Sequence, residues 1–363
     1  MNTLITFGRT RLLLLAVLFV ILPFTLGASG LTTAVFVLIG AIGVVGINIL
    51  IGYAGQISLG HAFFLAAGAY TYAVLADGSS TSLIWLPVAG LVAAGIGALV
   101  GPIALRVQGL YLAVVTLGLV FIGQHILFNV ASLSGGPEGR VFAPISIGGF
   151  DFSTDFVTIG PFSVDANGFY YYLAGSLLAV ATWVAHNLRH SRSGRAMLAL
   201  KGRPEVAALS GINVARTKIL AFAISSFFGG LCGALYAAYI GYAQPGYWNL
   251  HLSIAFVGAV IIGGIGSTYG PILGSVVVFA LPVVLKDVTY RLGDSVGDVN
   301  TSTIAAIVYG VLVVAFLVVE PLGVVGIGRR TWARWSRTSP EPDITPMSIE
   351  RTDLALTLEK ERQ

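Results

Sequence analysis

The sequence predicts an all-α polytopic membrane protein, with about ten transmembrane helices interrupted by Gly-rich broken segments and with both termini cytoplasmic. Three observations predict it. Of 363 residues, 56% are hydrophobic and only 10% are charged, whereas soluble domains carry roughly 25% charged residues. The apolar residues fall in runs close to the length of about 20 residues that a helix needs to cross the hydrocarbon core. The Lys and Arg residues cluster between those runs, so that one simple path through a bilayer places every cluster on the same face.

Taken in chain order, the candidate spans are residues 12–26, 31–51, 62–76, 83–105, 110–130, 169–188, 219–242, 253–266, 271–285 and 304–319. The runs that begin at 62, 253 and 271 are short, and each is read as a span continued by, or broken at, the Gly-rich segment beside it. With Arg9 and Arg11 inside, six crossings return the chain to the inside at Arg189, and four more bring Arg329, Arg330, Arg334 and Arg337 there too. Residues 131–168 then form an extracytoplasmic loop, with Glu138, Asp151, Asp155 and Asp165 against one Arg140. The acid-leaning stretch 287–300 falls on the same outer side. The net charge of +4 thus reports orientation and not nucleic-acid binding. Arg9 and Arg11, the apolar run after them and Ala28-Ser29-Gly30 also fit a cleavable signal peptide; the reading taken here is a retained first span. Residues 1–330 form the transmembrane domain, and 331–363, with Pro340, Pro342 and Pro346, a disordered cytoplasmic tail.

The most distinctive membrane stretch is Gly52-Tyr53-Ala54-Gly55-Gln56-Ile57-Ser58-Leu59-Gly60-His61. Backbone of this kind cannot face lipid, because each unsatisfied amide there costs several kcal/mol. It is either a tight interhelical turn with Gly used for packing, or a broken helix that lines a watery path for a small polar substrate. Gln56, Ser58 and His61, with Tyr70 further along, are the candidate path residues. A second Gly-rich break runs from Gly263 to Gly270. It is no phosphate loop, since neither Gly-Lys-Ser nor Gly-Lys-Thr occurs in the chain. Gly229, Gly230 and Gly233 offer a small-residue face for helix packing.

Ionisable residues within the spans are limited to His61, His125 and, near an end, His186. A proton-coupled carrier would normally need an intramembrane carboxylate, and none is placed for it. His125 is read as a hydrogen-bonded packing residue. The single Cys232 excludes an intrachain disulfide and a Cys-built metal site. No nucleophile with a base partner and no metal-ligand spacing is visible, so no covalent chemistry is expected.

The polar interruption from Arg189 to Lys218 holds seven of the 20 Lys and Arg residues and one carboxylate, Glu205. Positive charge beside a span resists translocation, which keeps this loop in the cytoplasm. Inside it Pro204 suits the first turn of a helix, Glu205 complements the helix dipole, and Gly211 can close the helix. Asn213 can cap a second helix that continues into the next span. An ordinary basic loop with a surface helix would show the same features.

Glu205, Ala207 and Gly211, beside Pro204 and Ala208, resemble the loop by which permeases of bacterial ATP-binding-cassette importers dock on their ATPases; Val206 and Ala223-Ile224 depart from its pattern. GYAGQISLGHAFFLAAGAY, QGLYLAVVTLGLVFI from Gln108, GRPEVAALSGINVARTKILAFAISSFFGGLCGALYA from Gly202, IGGIGSTYGPILG from Ile262 and the Glu320-Pro321-Leu322-Gly323-Val324 exit resemble the LivM-type permeases of branched-chain amino-acid importers. The match runs over nearly all of residues 30–330. The resemblance implies a multi-pass subunit of the bacterial inner membrane, paired with a related permease and served by two cytoplasmic ATPases and an extracytoplasmic substrate-binding protein. It implies no cofactor in this chain, with ATP and Mg held by the partner ATPase. Near relatives import urea or short amides with a similar frame. A self-sufficient secondary carrier and a passive channel are the readings from other classes, and uptake by the chain alone in liposomes would favour them.

Overall fold

The structure is a computed structural model, and it describes residues 17–285 except 108, 160 and 161, together with residues 307, 310, 311, 314 and 323–326. Among the described residues six helices are long and apolar enough to cross a membrane: Ala28–Tyr53, Ser82–Arg106, Leu110–Asn129, Ala166–His190, Val214–Ile240 and Pro245–Gly263. Two shorter apolar helices, His61–Ala76 and Gly270–Leu285, accompany them. The expected span at 12–26 lies partly, that at 304–319 largely, and the tail wholly outside the described residues.

The helices named below are α1 (Ala28–Asn48), α2 (His61–Ala76), α3 (Trp85–Val100), α4 (Leu110–Asn129), α5 (Ala166–His190), α6 (Arg192–Gly202), α7 (Pro204–Leu209), α8 (Val214–Ile240), α9 (Leu250–Gly263) and α10 (Gly270–Ser275). α8 is the centre of the bundle and packs against α1, α2 and α3. A Cβ on Gly68 would collide with the Gly230 main chain, and one on Gly233 with the main chain of Leu65. Two backbones can approach this closely only where side chains are missing, which is how helices gain dispersion contacts without a hydrophobic drive between them. The small-residue face read at Gly229, Gly230 and Gly233 is therefore a seam of α8 with α2 at Gly229 and Gly233 and with α3 at Gly230, where a Cβ would meet Ala93.

Two departures from the expected spans involve wide turns. α1 continues into a π-helical turn at Ile49–Tyr53, and α10 into another at Val276–Ala280. Such turns change the direction of a helix without breaking it. The loop 131–168 is also not wholly irregular. It holds β1 (Arg140–Val141), β2 (Ser146–Ile147), β3 (Phe150–Asp151), β4 (Val157–Ile159) and β5 (Phe162–Val164). β2 pairs with β3 and β4 with β5, while β1 pairs antiparallel with β6 (Tyr242–Ala243) just after α8, Arg140 opposite Ala243.

The molecule has two chemically distinct ends. At one, Lys201 reaches Gly52, Lys218 donates to the Ala104 carbonyl at 2.8 Å, and Arg189 reaches Gly266. At the other, Arg140 pairs with Asp77 at 3.2 Å, and the Ser146 N–H donates to Ser82 Oγ at 2.8 Å. Helices α2 and α8 run between them, since Asp77 follows α2 and β6 follows α8. Cations gather at the first end, and Asp77, Glu138, Asp151 and Asp155 at the second.

Candidate functional site

The 189–218 loop is more ordered than its polarity suggested. α5 runs on to His190, and Ser191 then caps α6 by accepting from the Gly194 N–H at 3.1 Å. α6 was not anticipated. Its Gly194, Met197 and Leu200 are buried, at the three-residue spacing of one helix face. α7 begins with Pro204 at its first position and has Glu205 exposed in its first turn. It ends as expected at Gly211, whose φ of +80° suits a residue without Cβ. There the Ile212 N–H donates to Ala207 O at 3.1 Å and the Gly211 N–H to Ala208 O at 3.0 Å. Asn213 then caps α8 by accepting from the Arg216 N–H at 2.9 Å. Ala207 is the buried residue of α7; Ala208 is exposed, as are Val206 at 52% and Leu209 at 90%. The short helix therefore presents one carboxylate and two apolar side chains, three residues apart, to whatever lies outside this chain.

Behind it the loop grips both Gly-rich breaks. Lys201 Nζ donates to the Gly52 carbonyl at 3.0 Å, and Arg189 Nη1 donates to the Gly266 carbonyl at 3.1 Å. Partial desolvation of its ammonium, with the Arg189 charge nearby, pulls Lys201 below its ordinary pKa. The breaks also hold each other. Asn48 is 1% exposed; its Oδ1 accepts from the Gly266 N–H and its Nδ2 donates to the Ser267 carbonyl, each at 2.9 Å. A Cβ on Gly52 would lie 2.6 Å from the Gly266 nitrogen, so the two segments touch main chain to main chain. Gly323, from the Glu-Pro-Leu-Gly-Val exit, approaches Gly264 in the same way. Three stretches far apart in sequence thus meet beside the loop.

Residues 54–60 leave this junction and climb back into the bundle. Leu59 N–H donates to Thr116 Oγ1 of α4 at 3.0 Å, and Ala62 N–H to Ser253 Oγ of α9 at 2.9 Å. Of the expected path residues, Gln56 is 5% exposed and both polar atoms of its amide are unpartnered. Ser58 is buried, its Oγ accepting from the Gly60 N–H at 3.2 Å. His61 Nε2 lies 3.1 Å from the Gly43 carbonyl, with its ring against Phe256. Tyr70 stands apart from these three, nine residues along α2 from His61 and so about 14 Å away. Its ring lies near Phe142 and Trp248, and the Tyr70 hydroxyl and the Trp248 indole N–H are both buried. His125 is hydrogen-bonded as expected, with Asn129 Nδ2 donating to its carbonyl at 2.8 Å. It is exposed on α4, however, and is not part of the buried core among the described residues. His186 is exposed too, its ring 4.9 Å from that of His190.

Sequence reasoning missed Asn48, Arg189 and Lys201 as linking residues. Asn48 carried a readable signal, since it is an amide inside an otherwise apolar run. Trp248 carried none. Among the described residues no group of three or more His, Cys, Asp or Glu side chains is placed to hold a metal.

Residues 28–317 match the family model described as branched-chain amino acid transport system / permease component. The high-affinity branched-chain amino acid transport system permease protein LivM of Salmonella typhimurium is 32% identical over 296 residues, covering 77% of this chain and 69% of that protein. LivM of Escherichia coli is 33% identical over 291 residues, 76% of this chain and 68% of the relative. The galactose/methyl galactoside import permease protein MglC of Salmonella typhimurium is 31% identical over 205 residues, 52% of this chain and 55% of its own length. No solved structure matches the chain. The span of the family match, with identity to LivM above 30% across three quarters of the sequence, shows that this chain belongs to the branched-chain amino acid transport permease family, as a LivM-type permease.

Proposed function

We propose that this chain is one membrane-spanning half of an ATP-driven importer for branched-chain or similar aliphatic amino acids. It works in the bacterial inner membrane with a related permease, two ATPase subunits that hydrolyse ATP on the cytoplasmic side, and an extracytoplasmic protein that captures the amino acid. The end that gathers Lys201, Arg189 and Lys218 faces the cytoplasm, in keeping with the preference of basic loops for that side.

The observation that carries this reading is α7. A six-residue helix that exposes Leu209 at 90% and Val206 at 52% leaves apolar surface in water unless a partner covers it. The loop that bears it holds a carbonyl of each Gly-rich break through Lys201 and Arg189. A push on α7 is passed to both breaks, which gives nucleotide-driven closure of a partner a direct way to favour one of two membrane states. Gln56, Ser58 and His61 lie in and beside the first break, with Tyr70 further along α2, and their neutral groups suit a zwitterion.

Reconstitution tests the reading. The complete complex should take up leucine, isoleucine or valine into proteoliposomes only with ATP and the capture protein, and this chain alone should not. Uptake by the chain alone, driven by a cation gradient or by nothing, would reject it. Uptake of urea or short amides in preference to leucine would reject the substrate while keeping the machine.

A further inference from the structure

The seven residues between the π-helical turn that ends at Tyr53 and the start of α2 have a burial pattern of their own. Gly55 and Ile57 are exposed and Leu59 half-buried, whereas Gln56, Ser58 and Gly60 are buried. The side chains thus alternate between the interior and the outside, after a left-handed turn at Gly55 with φ of +66°. The segment is poor in hydrogen bonds. The Gln56 N–H donates to Leu50 O, the Leu59 N–H to Thr116 and the Gly60 N–H to Ser58. None of the carbonyls from Ala54 to Leu59 accepts a hydrogen bond, and the N–H groups of Gly55, Ile57 and Ser58 donate none, among the described residues.

Gly55 lies against Lys201 at the loop, and from there the segment rises to membrane depth. His61 is level with Gly43, ten residues before Tyr53 and so about 15 Å along the α1 axis. Leu59 is level with Thr116, about 9 Å into α4. Main-chain carbonyls without partners do not face hydrocarbon, so this stretch faces a polar or wet surrounding. The segment is the floor between α4, which holds it at Thr116, and α9, whose Ser253 holds the first turn of α2 that follows it.

We propose that residues 57–59 line the substrate path, and that the free carbonyls of this stretch receive the ammonium group of the amino acid while Ile57 and Leu59 border its aliphatic side chain. This rests on the importer reading and adds to it the groups that touch the cargo. An ammonium has three donors and no acceptor, and helices α1 to α5, α8 and α9 contain no Asp or Glu to meet it. Carbonyl dipoles supply partial negative charge without a fixed ion, so the cargo is held and then released. The buried side chains of Gln56 and Ser58 stand behind this stretch and shape it.

Single cysteines test the alternation. Cys232 is the one cysteine of the chain and is buried, so Cys232→Ala gives a cysteine-free background. In the complete complex in proteoliposomes, Ile57→Cys and Leu59→Cys should react with a charged methanethiosulfonate, and Gln56→Cys and Ser58→Cys should not. Leucine delivered at ten times its Kd during ATP turnover should slow the reaction at 57 and 59 about tenfold. Cysteines at 57 and 59 that react in the isolated chain but are silent in the complex would make this stretch a contact with the second permease and overturn the proposal. Reaction that leucine does not slow, or equal reaction at all four positions, would overturn it as well. Leucine uptake by the Cys232→Ala complex is measured first, so that a failed importer reading is separated from a failed path assignment.

Discussion

Replacing Asn48 by leucine probes the junction between the two Gly-rich breaks. Leucine has the same branched shape and number of side-chain heavy atoms, with somewhat bulkier ends, and favours a helix slightly more, by about 0.5 kcal/mol. It cannot accept from the Gly266 N–H or donate to the Ser267 carbonyl, the two 2.9 Å bonds that Asn48 makes. Both main-chain groups would then be left with an apolar neighbour where Asn48 is 1% exposed. A buried polar group that loses its partner costs about 1–3 kcal/mol. Two of them, less the gain in propensity, give a net loss of about 2–5 kcal/mol, with the range set by how far the segments relax. Thermal unfolding of the purified protein in detergent should show a melting temperature lower by about 4 °C or more. Uptake should fall further than stability, because the breaks would no longer move as one body. A melting temperature within about 1 °C of the parent, together with normal uptake, would refute the claim that this amide ties the breaks together.

Three further outcomes follow from the same geometry. Lys201→Met keeps the stem beside Gly55 but removes the bond to Gly52; because Lys201 is exposed, the stability loss should stay below about 1 kcal/mol, while amino acid moved per ATP, measured in proteoliposomes, should drop several-fold. Glu205→Lys reverses the charge of the exposed first turn of α7 and should leave the chain inserted but poorly retained by the ATPase in co-purification; unchanged retention and transport would count against a docking role. Gly68→Ala would drive a methyl group into the Gly230 main chain and should cost about 3 kcal/mol or more, seen as loss of monodisperse protein, whereas Asp77→Asn at the exposed ion pair should cost less than about 1 kcal/mol.

Local features of this chain were legible before its structure. The apolar runs gave the helices because hydrocarbon thickness fixes their length, and the caps at Asn213 and Gly211 were readable because a cap is decided within four residues. α6 was overlooked because its surface is basic, although Gly194, Met197 and Leu200 already marked its buried face. The grip of Lys201 on Gly52 and of Asn48 on Ser267 joins residues 149 and 219 positions apart, and no local pattern encodes such a pairing. The segment after Tyr53 was rightly singled out for its glycines. Its alternation of buried and exposed side chains was not read, so attention went to the polar side chains Gln56 and Ser58 and away from Ile57.

The pairing of Arg140 and Val141 with Ala243 and Tyr242 has an architectural result. It staples the long crossing between α4 and α5 to the exit of the central helix, so the far end of the bundle is roofed by a fixed relief and not by slack tether. A visiting protein would land on a carved surface with permanent contours. Transplanting residues 131–168 together with 242–248 from one relative into another should therefore transplant the visitor it accepts, whereas moving either part alone would tear the roof.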